Sequence, residues 1–232
     1  MKIEIWSDVV CPWCFVGKRN FEKALADFAH ADALDITWRS YELDPHAPTV
    51  REGTYAERIA RKYGMEIGQA RAAMARVVNA GAEAGIDFRF DLMQPGNTFN
   101  AHRLLHLAAR HGRQNELKEA LFVATFSDAQ AIGTNAVLQD IAVSVGLDAD
   151  EVREVLDGEL FGDEVRVDDR VAQSIGITGV PFFLVDDTYG IPGAQDPSVY
   201  LNILERAWGE SHRHIEIVAP EGGACDDDVC EI

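Results

Sequence analysis

The first 45 residues contain two strand patterns with a helical pattern between them. Apolar and polar residues alternate over residues 2–7, which predicts a short strand. From Pro12 the apolar side chains recur at helical spacing as far as Phe28. Residues 35–43 return to a strand pattern, which we expect to end before Pro45. The N-terminal segment is therefore predicted to fold as strand, helix and strand.

Residues 54–162 read almost entirely as helix. Six amphipathic segments follow one another, and glycines stand where helix C-termini are expected, at positions 64, 85, 112, 146 and 158. Glycine is favoured just beyond a helix end because it adopts the left-handed conformation readily. No fixed period recurs, so we interpret this block as an inserted helical domain and not as a repeat array.

The remaining pattern predicts a helix, two short strands and a last helix. The helix covers residues 163–176, the strands flank a turn near residues 186–190, and Asp196 and Pro197 cap and start the last helix. A parallel βαβ half and an antiparallel ββα half would then share one sheet, which makes the fold class α/β. We divide the chain into a first half of this fold, a helical insertion, a second half and a tail: residues 1–44, 45–163, 164–211 and 212–232.

Composition and charge exclude several classes of function. The chain has 232 residues, of which 47% are hydrophobic, enough to bury a core without disulfide bonds. Its 39 acidic residues outnumber its 21 basic ones, and a net charge of -18 repels nucleic acid. No run approaches about 18 uninterrupted apolar residues, so no membrane span is expected. The N-terminus lacks a signal-peptide pattern, and we expect a cytoplasmic protein.

Two of the four cysteines lie three positions apart in “CPWC”, after the first predicted strand. Cys11 falls at the helix start, where unpaired N–H groups and the helix dipole favour a thiolate, so it is the expected nucleophile. Cys14 precedes Phe21 by seven residues and shares its buried stripe. It is placed to resolve a mixed disulfide. Pro12 suits the first helical position, where its missing N–H costs nothing.

Two alternatives to a redox pair stay open. The two cysteines could simply fill small core volumes, or they could join Cys225 and Cys230 in a four-cysteine zinc site. A C-x-x-C pair that follows a strand and opens a helix favours redox chemistry over both. His102 and His106 are four apart, but no carboxylate or cysteine accompanies them. We therefore predict no metal site.

Pro181 opens the strand predicted from “ITGVPFFLV”. The local sequence alone favours a trans peptide bond, because only about 5% of ordinary X–Pro bonds are cis. In a cis turn, the backbone of Val180 would be available to pair with an extended peptide beside the dithiol.

The chain resembles the DsbA-like branch of the thioredoxin superfamily, and within it the FrnE-type oxidoreductases. The matching segments are “SDVVCPWCFVGK”, “NTFNAHRLLHLA”, “LFGDEV”, “GITGVPFFLVD” with “YGIPGAQ”, and “ACDDDVC”. The resemblance implies a thioredoxin fold with a large all-helical insertion domain, redox-active Cys11 and Cys14, and a cis Pro181 that faces them. It also implies thiol-disulfide exchange with protein dithiols, protein disulfides or small thiols. Exchange between Cys11, Cys14 and such a substrate needs no metal or organic cofactor.

The resemblance suggests further substrate-binding residues. It places the start of the helix in “NTFNAHRLLH” opposite the dithiol, so Asn97 and His102 are expected to line the substrate cleft. A helix cap is the simpler role for Asn97. Trp13, between the cysteines, is expected to offer an apolar contact to substrate. Lys18 and Arg19 could support the thiolate, although solvated charges are the simpler interpretation.

Two rival functions remain at this stage. Hydroxychromene-carboxylate isomerases and kappa-class glutathione transferases share the implied fold, but they typically carry serine where Cys11 stands. The presence of both cysteines therefore favours disulfide chemistry over glutathione-dependent isomerisation or transfer. The second rival is a chaperone or metal-buffering protein, which would not need Cys11.

The tail contains the second cysteine pair, Cys225 and Cys230, with three aspartates between them. Their negative field disfavours thiolates, so we expect a slow nucleophile and a relatively stable disulfide. Our hypothesis is that this pair relays electrons to the N-terminal pair, with Gly222 and Gly223 as a hinge. The simpler alternative is a passive, solvated acidic tail.

Overall fold

The computed structural model describes residues 1–212 and shows the predicted order of elements. The strands are β1 (Lys2–Ser7), β2 (Asp35–Ser40), β3 (Phe182–Val185) and β4 (Tyr189–Pro192). The helices are α1 (Pro12–Asp27), α2 (Tyr55–Tyr63), α3 (Ile67–Glu83), α4 (Phe99–Arg110), α5 (Gln114–Phe126), α6 (Asn135–Ser144), α7 (Ala149–Asp157), α8 (Gly162–Ser174) and α9 (Pro197–Ser211).

The second strand is three residues shorter than its sequence pattern predicts. Its partner β1 ends at Ser7, so the residues after Ser40 have no neighbouring strand to pair with. Their backbone N–H groups bond side chains instead: Leu43 donates to a carboxylate oxygen of Asp8 at 2.8 Å. The chain therefore leaves the sheet directly beside the start of α1.

The four strands form one mixed sheet in the order β2-β1-β3-β4. β1 runs parallel to β2, and Ile3 lies opposite Ile36, while β3 is antiparallel to both β1 and β4. A parallel pair needs a crossover, which α1 supplies, whereas β3 and β4 are joined by a tight turn. Asp186 and Asp187 are the central residues of this turn, with φ of 45° and 53°, and the Thr188 N–H closes it by donating to the Val185 carbonyl at 3.0 Å.

Helices cover both faces of the sheet. On one face α1 and α9 pack over a core that includes Ile5, Phe21, Phe183 and Tyr200. On the other face α8 packs against β2. Six helices lie between β2 and α8, and four of them, α4 to α7, share a core in which α4 contacts α5, α6 and α7. Among residues 1–212, no helix is long and apolar enough to cross a membrane.

The inserted helices also share a core with the start of α1. Cys14, Phe15 and Val16 are buried there against residues of α3 and α5. The ring of Phe15 stacks on that of Phe122, with centroids 5.0 Å apart and planes 12° apart. Aromatic pairs in this arrangement contribute beyond the area they bury. The first turns of α1 are therefore fixed by both parts of the molecule.

Lys18 is buried at this junction, at 2% exposure, so the expectation of a solvated charge is wrong for it. It lies four residues after Cys14 and so faces the inserted helices as Cys14 does. Its ammonium bonds Glu22 and, at 2.8 Å, Glu119 of α5. Arg19 also binds Glu119. These ion pairs tie α1 to α5.

Candidate active site

Cys11 stands at the N-terminus of α1 and is its N-cap residue, with φ −95° and ψ 110°. Its sulfur is a free thiol, the residue is 6% exposed, and Sγ lies 3.5 Å from the carbonyl oxygen of Val180. The Cys14 N–H closes the first turn by donating to the Cys11 carbonyl at 3.0 Å. Cys11 therefore has the helix-start position that favours a thiolate.

Cys14 lies beneath Cys11 and is fully buried as a free thiol. Burial raises the pKa of Cys14 well above its ordinary value, and the hydrogen bond with Cys11 and the charge of that sulfur raise it further. The hydroxyl of Ser7 and the ammonium of Lys118 act in the opposite direction. The two sulfurs thus occupy different electrostatic environments although they are one helical turn apart.

Lys118 of α5 is a buried cation close to the dithiol, and sequence analysis missed it. It is completely buried and donates a hydrogen bond to the carbonyl oxygen of Ser7 at 3.2 Å. Burial lowers the pKa of Lys118 to about 8, although the negative charges of Cys14 and Asp8 oppose this shift. Its signal in the sequence is its helical spacing: Lys118 precedes buried Leu121 and Phe122 by three and four residues.

Asp8 is a second buried charge that sequence analysis missed, although it lies in the quoted N-terminal segment. Burial alone would raise the pKa of Asp8, but the hydrogen bond with His102, the charge of that ring and the Leu43 N–H bring it below its ordinary value. His102 Nε2 lies 3.4 Å from Asp8 Oδ1, and His102 is fully buried. Asp8 lines the cleft beside Cys11, whereas His102 lies behind Asp8.

Asn97 is not brought together with the dithiol. Its side-chain N–H groups donate to the carbonyl oxygens of Ala47 at 3.1 Å and Pro45 at 3.3 Å, and its oxygen accepts from the Phe99 N–H at 2.9 Å. Asn97 therefore joins the loop after β2 to the start of α4. Its neighbour Thr98 lines the cleft in its place.

The loop before β3 forms one wall of the site. The Val180–Pro181 peptide bond is cis, and Val180 lines the cleft. The loop is held from two sides. Gly193, just after β4, donates to the Pro181 carbonyl at 2.8 Å, and a Cβ built on Gly17 of α1 would lie 3.0 Å from Pro181 Cγ. Gly17, also missed in the sequence, lets α1 approach this loop closely.

A cleft of about 730 Å³ opens beside Cys11. Trp13 lines it and is 39% exposed, which makes this side chain available for contact with a substrate. Glu42 also lines it, and one of its carboxylate oxygens has no hydrogen-bond partner among the described residues. Burial raises the pKa of Glu42 to about 7, and the charges of Asp169 and Asp8 add to this shift.

The remaining sequence predictions concern the tail and metal binding. Cys225 and Cys230 lie outside the described residues. Within the part of the chain that the structure covers, no three His, Cys, Asp or Glu side chains are grouped so that they could hold a metal ion.

Free thiols at a helix start, beside a loop that precedes an antiparallel hairpin, define a thioredoxin-type site. The model of the DsbA-like thioredoxin domain family matches residues 2–205, and the chain belongs to this family. The chain is similar to a solved probable DsbA oxidoreductase, SCO1869 from Streptomyces coelicolor, with 41% identity and a TM-score of 0.86 over 100% of this chain and 99% of that one. The predicted fold class, a thioredoxin fold with a large helical insertion, is confirmed.

Two further solved structures are similar in fold alone. One is the cytosolic disulfide reductase DsbM from Pseudomonas aeruginosa with GSH, at 15% identity and a TM-score of 0.64, covering 90% of this chain and 99% of that one. The other is a 2-hydroxychromene-2-carboxylate isomerase, at 13% identity and a TM-score of 0.62, covering 91% of this chain and 96% of that one. The fold is therefore shared between disulfide and isomerase chemistry.

Proposed function

We propose that the chain is a FrnE-type thiol-disulfide oxidoreductase that works through Cys11 and Cys14. The observation that carries this proposal is the pair of free thiols at the start of α1, with one sulfur beside the cleft and the other fully buried below it. Membership of the DsbA-like family supports the oxidoreductase class.

In the proposed reaction, the Cys11 thiolate attacks one sulfur of a substrate disulfide. A bond forms between Cys11 and that sulfur, and the other substrate sulfur leaves as a thiolate. The Cys14 thiolate then attacks the Cys11 sulfur, which forms the internal disulfide and releases the second substrate thiolate. Two electrons pass to the substrate, and the same steps in reverse oxidise a substrate dithiol.

The surroundings of each sulfur suit its proposed step. Cys14 must lose a proton in a closed core, and the ammonium of Lys118 and the hydroxyl of Ser7 favour its thiolate. The Val180 carbonyl accepts from the Cys11 thiol at 3.5 Å, and once Cys11 is a thiolate this carbonyl can accept a hydrogen bond from the backbone of an extended peptide substrate.

Insulin reduction provides the test, with wild type compared with Cys11→Ser and Cys14→Ala and with glutathione binding measured alongside. We expect Cys11→Ser to abolish turnover and Cys14→Ala to stop it at a mixed disulfide. The double variant Cys225→Ser and Cys230→Ser removes two thiols and keeps “CPWC”, so it separates the effect of the tail pair from that of the N-terminal dithiol. Turnover that does not depend on Cys11 would contradict the proposal and favour a chaperone or metal-buffering role.

The likeness to an isomerase supports one alternative, a glutathione-dependent isomerase or transferase. A fold shared with a reductase studied with GSH makes glutathione a reasonable ligand for either function. The alternative predicts tight glutathione binding and full activity of Cys14→Ala. Disulfide exchange requires both cysteines, so the same pair of variants separates the two functions.

The tail pair, outside the described residues, is proposed to relay electrons to Cys11 and Cys14. Unchanged insulin turnover in the Cys225→Ser and Cys230→Ser variant would remove the relay and leave the rest of the proposal intact. A cytoplasmic location stays a prediction.

A further inference from the structure

Four basic side chains line the cleft beside Cys11. Arg51 precedes α2, Arg58 and Lys62 belong to α2, and Arg76 belongs to α3. All four come from the inserted region. A cationic wall is unexpected in a chain whose net charge is -18.

Among residues 1–212, three of these cations have no carboxylate counterion. Arg51 pairs with Asp44 at 2.6 Å. For Arg58, which is half-buried, and for Lys62 and Arg76, which are exposed, no carboxylate of residues 1–212 lies within 4.0 Å. The other half-buried cations, Arg19, Arg39 and Arg51, each have such a partner.

Among these cations, Arg58 has a buried hydrogen-bond donor without an acceptor. Its Nη2 is buried and has no hydrogen-bond partner in the described part of the chain. Burial lowers the pKa of Arg58, and the nearby charge of Arg51 adds to this effect. Two guanidinium groups that repel each other at the edge of a cleft favour binding of an anion between or beside them.

The acidic side chains of the cleft do not cancel this charge. Asp44 is neutralised by Arg51, and Asp8 is bonded to His102 at the base of the cleft. The raised pKa of Glu42, about 7, leaves that carboxyl partly protonated at neutral pH. The unpaired charge that faces a bound molecule is therefore positive.

Apolar side chains make up much of the remaining wall. Between the cations lie side chains that can contact the carbon chain of a ligand: Tyr55, Ile59, Met65, Met74 and Val77. A volume of about 730 Å³ is in the range of small-molecule sites. Apolar walls with a few convergent charges fix the orientation of such a ligand.

We propose that the cleft selects small disulfides whose sulfurs are flanked by carboxylates, an inference that rests on the proposed disulfide exchange. The carboxylates bind the cations of α2 and α3 while Cys11 attacks the nearer sulfur. Cys11 and that sulfur form a bond, one carboxylate-bearing thiolate leaves, and Cys14 then releases the second. The protein dithiol is oxidised, and the small disulfide is reduced to two thiols.

Three symmetrical disulfides of similar length but different charge test the selection: 3,3′-dithiodipropionate (anionic), bis(2-hydroxyethyl) disulfide (neutral) and cystamine (cationic). The full-length reduced protein is mixed with each, and the loss of its N-terminal dithiol is followed in a single turnover. We expect the anionic disulfide to react roughly tenfold faster than the neutral one, and cystamine to react slowest. Attraction by the net charge alone predicts the reverse order, which would overturn the proposal.

Substitutions that reverse the charge of single side chains test whether the preference for the anionic disulfide arises in the cleft. Lys62→Glu and Arg76→Glu change cations that line the cleft, whereas Arg61→Glu and Arg71→Glu change cations of the same two helices that do not line it. All four side chains are exposed, so the pairs are matched. The cleft variants should slow the anionic disulfide roughly threefold to tenfold and leave the neutral one within about twofold. The controls should leave both within about twofold.

Two results would count against the inference in distinguishable ways. Equal slowing of the anionic disulfide by the cleft and control variants would mean that overall charge, and not the cleft, governs the rate. Failure of wild type to react with the neutral disulfide would instead refute the proposed function on which the inference rests.

Discussion

The sheet half of the molecule and the helices inserted into it contribute different parts of the dithiol site. β1, α1 and the loop before β3 supply Cys11, Cys14 and the Val180 carbonyl beside them. The inserted helices supply charge: Lys118 of α5 near the buried sulfur, and the cations of α2 and α3 beside the accessible one. The sulfur chemistry thus depends on a short local motif, whereas its electrostatic environment depends on distant segments.

The largest expected effect concerns access to the two sulfurs. In the reduced protein, iodoacetamide should modify Cys11 at least about a hundredfold faster than Cys14, because only Cys11 borders the cleft. Time-resolved peptide mapping by mass spectrometry measures both rates and distinguishes the tail cysteines. In Cys11→Ser, Cys14 should stay unmodified until denaturant is added. Comparable labelling of the two residues would show that they do not occupy different environments.

The second effect tests what the inserted helices contribute to the buried sulfur. Lys118→Met removes a positive charge that favours the Cys14 thiolate, so the mixed disulfide should persist roughly tenfold longer. Rapid quenching and mass spectrometry after addition of a small disulfide measure its lifetime. Lys23→Met, an exposed change on α1, is the control and should match wild type. A normal lifetime in Lys118→Met would mean that the insertion does not assist Cys14.

The same substitution predicts a pH dependence of stability. Burial lowers the pKa of Lys118 from 10.5 to about 8, so between these values the unfolded chain binds more protons than the folded one. The contribution of Lys118 to the free energy of unfolding of wild type therefore increases as pH rises through about 8. Lys118→Met lacks this gain, and its stability relative to wild type should fall with rising pH. Urea unfolding at about pH 7 and about pH 9 checks the sign.

The smallest expected effect concerns the contact between α1 and the Pro181 loop. In Gly17→Ala, the added Cβ would lie 3.0 Å from Pro181 Cγ and 3.6 Å from the Phe183 ring. The loop must shift away from Cys11, and insulin turnover should fall roughly threefold. Replacing glycine by alanine in a helix interior usually raises the free energy of unfolding by about 1 kcal/mol, and we expect this crowding to cancel that increase.

Gly68→Ala provides the control for that substitution. Gly68 is on α3, and a Cβ there would meet no atom within 4 Å. This variant should keep wild-type turnover and a larger part of the usual gain in stability. Equal turnover in the two glycine variants would show that the position of the loop does not affect catalysis.

Two elements could be predicted from local signals in the sequence. β1 covers residues 2–7 as its alternating pattern predicts, although the structure buries residues 3–7 on both faces, and α9 begins at Pro197 with Asp196 as its cap. The end of β2 could not be predicted, because it depends on where β1 stops. A strand pattern shows which residues can pair but not whether a partner extends beside them.

The residues of the site also differ in whether local sequence is enough to predict their roles. The roles of Cys11 and Cys14 follow from their spacing and from the helix that they begin, and both are local. Lys118 is 111 residues from Ser7 in the sequence, and only the packing of α5 brings it close to the dithiol. Asn97 shows the converse: its capping chemistry was recognisable, but its bonds to a loop 50 residues earlier were not.

The stacking of Phe15 on Phe122 limits how much of the inserted helical region can be removed from this protein. A miniature version made by excising α2 to α7 would keep every strand, yet it would strip the cover from Phe15, Val16 and Cys14. The newly exposed apolar surface would promote self-association. Both thiols would then compete for the same oxidants, and a directional two-step exchange would degrade into unselective reactivity.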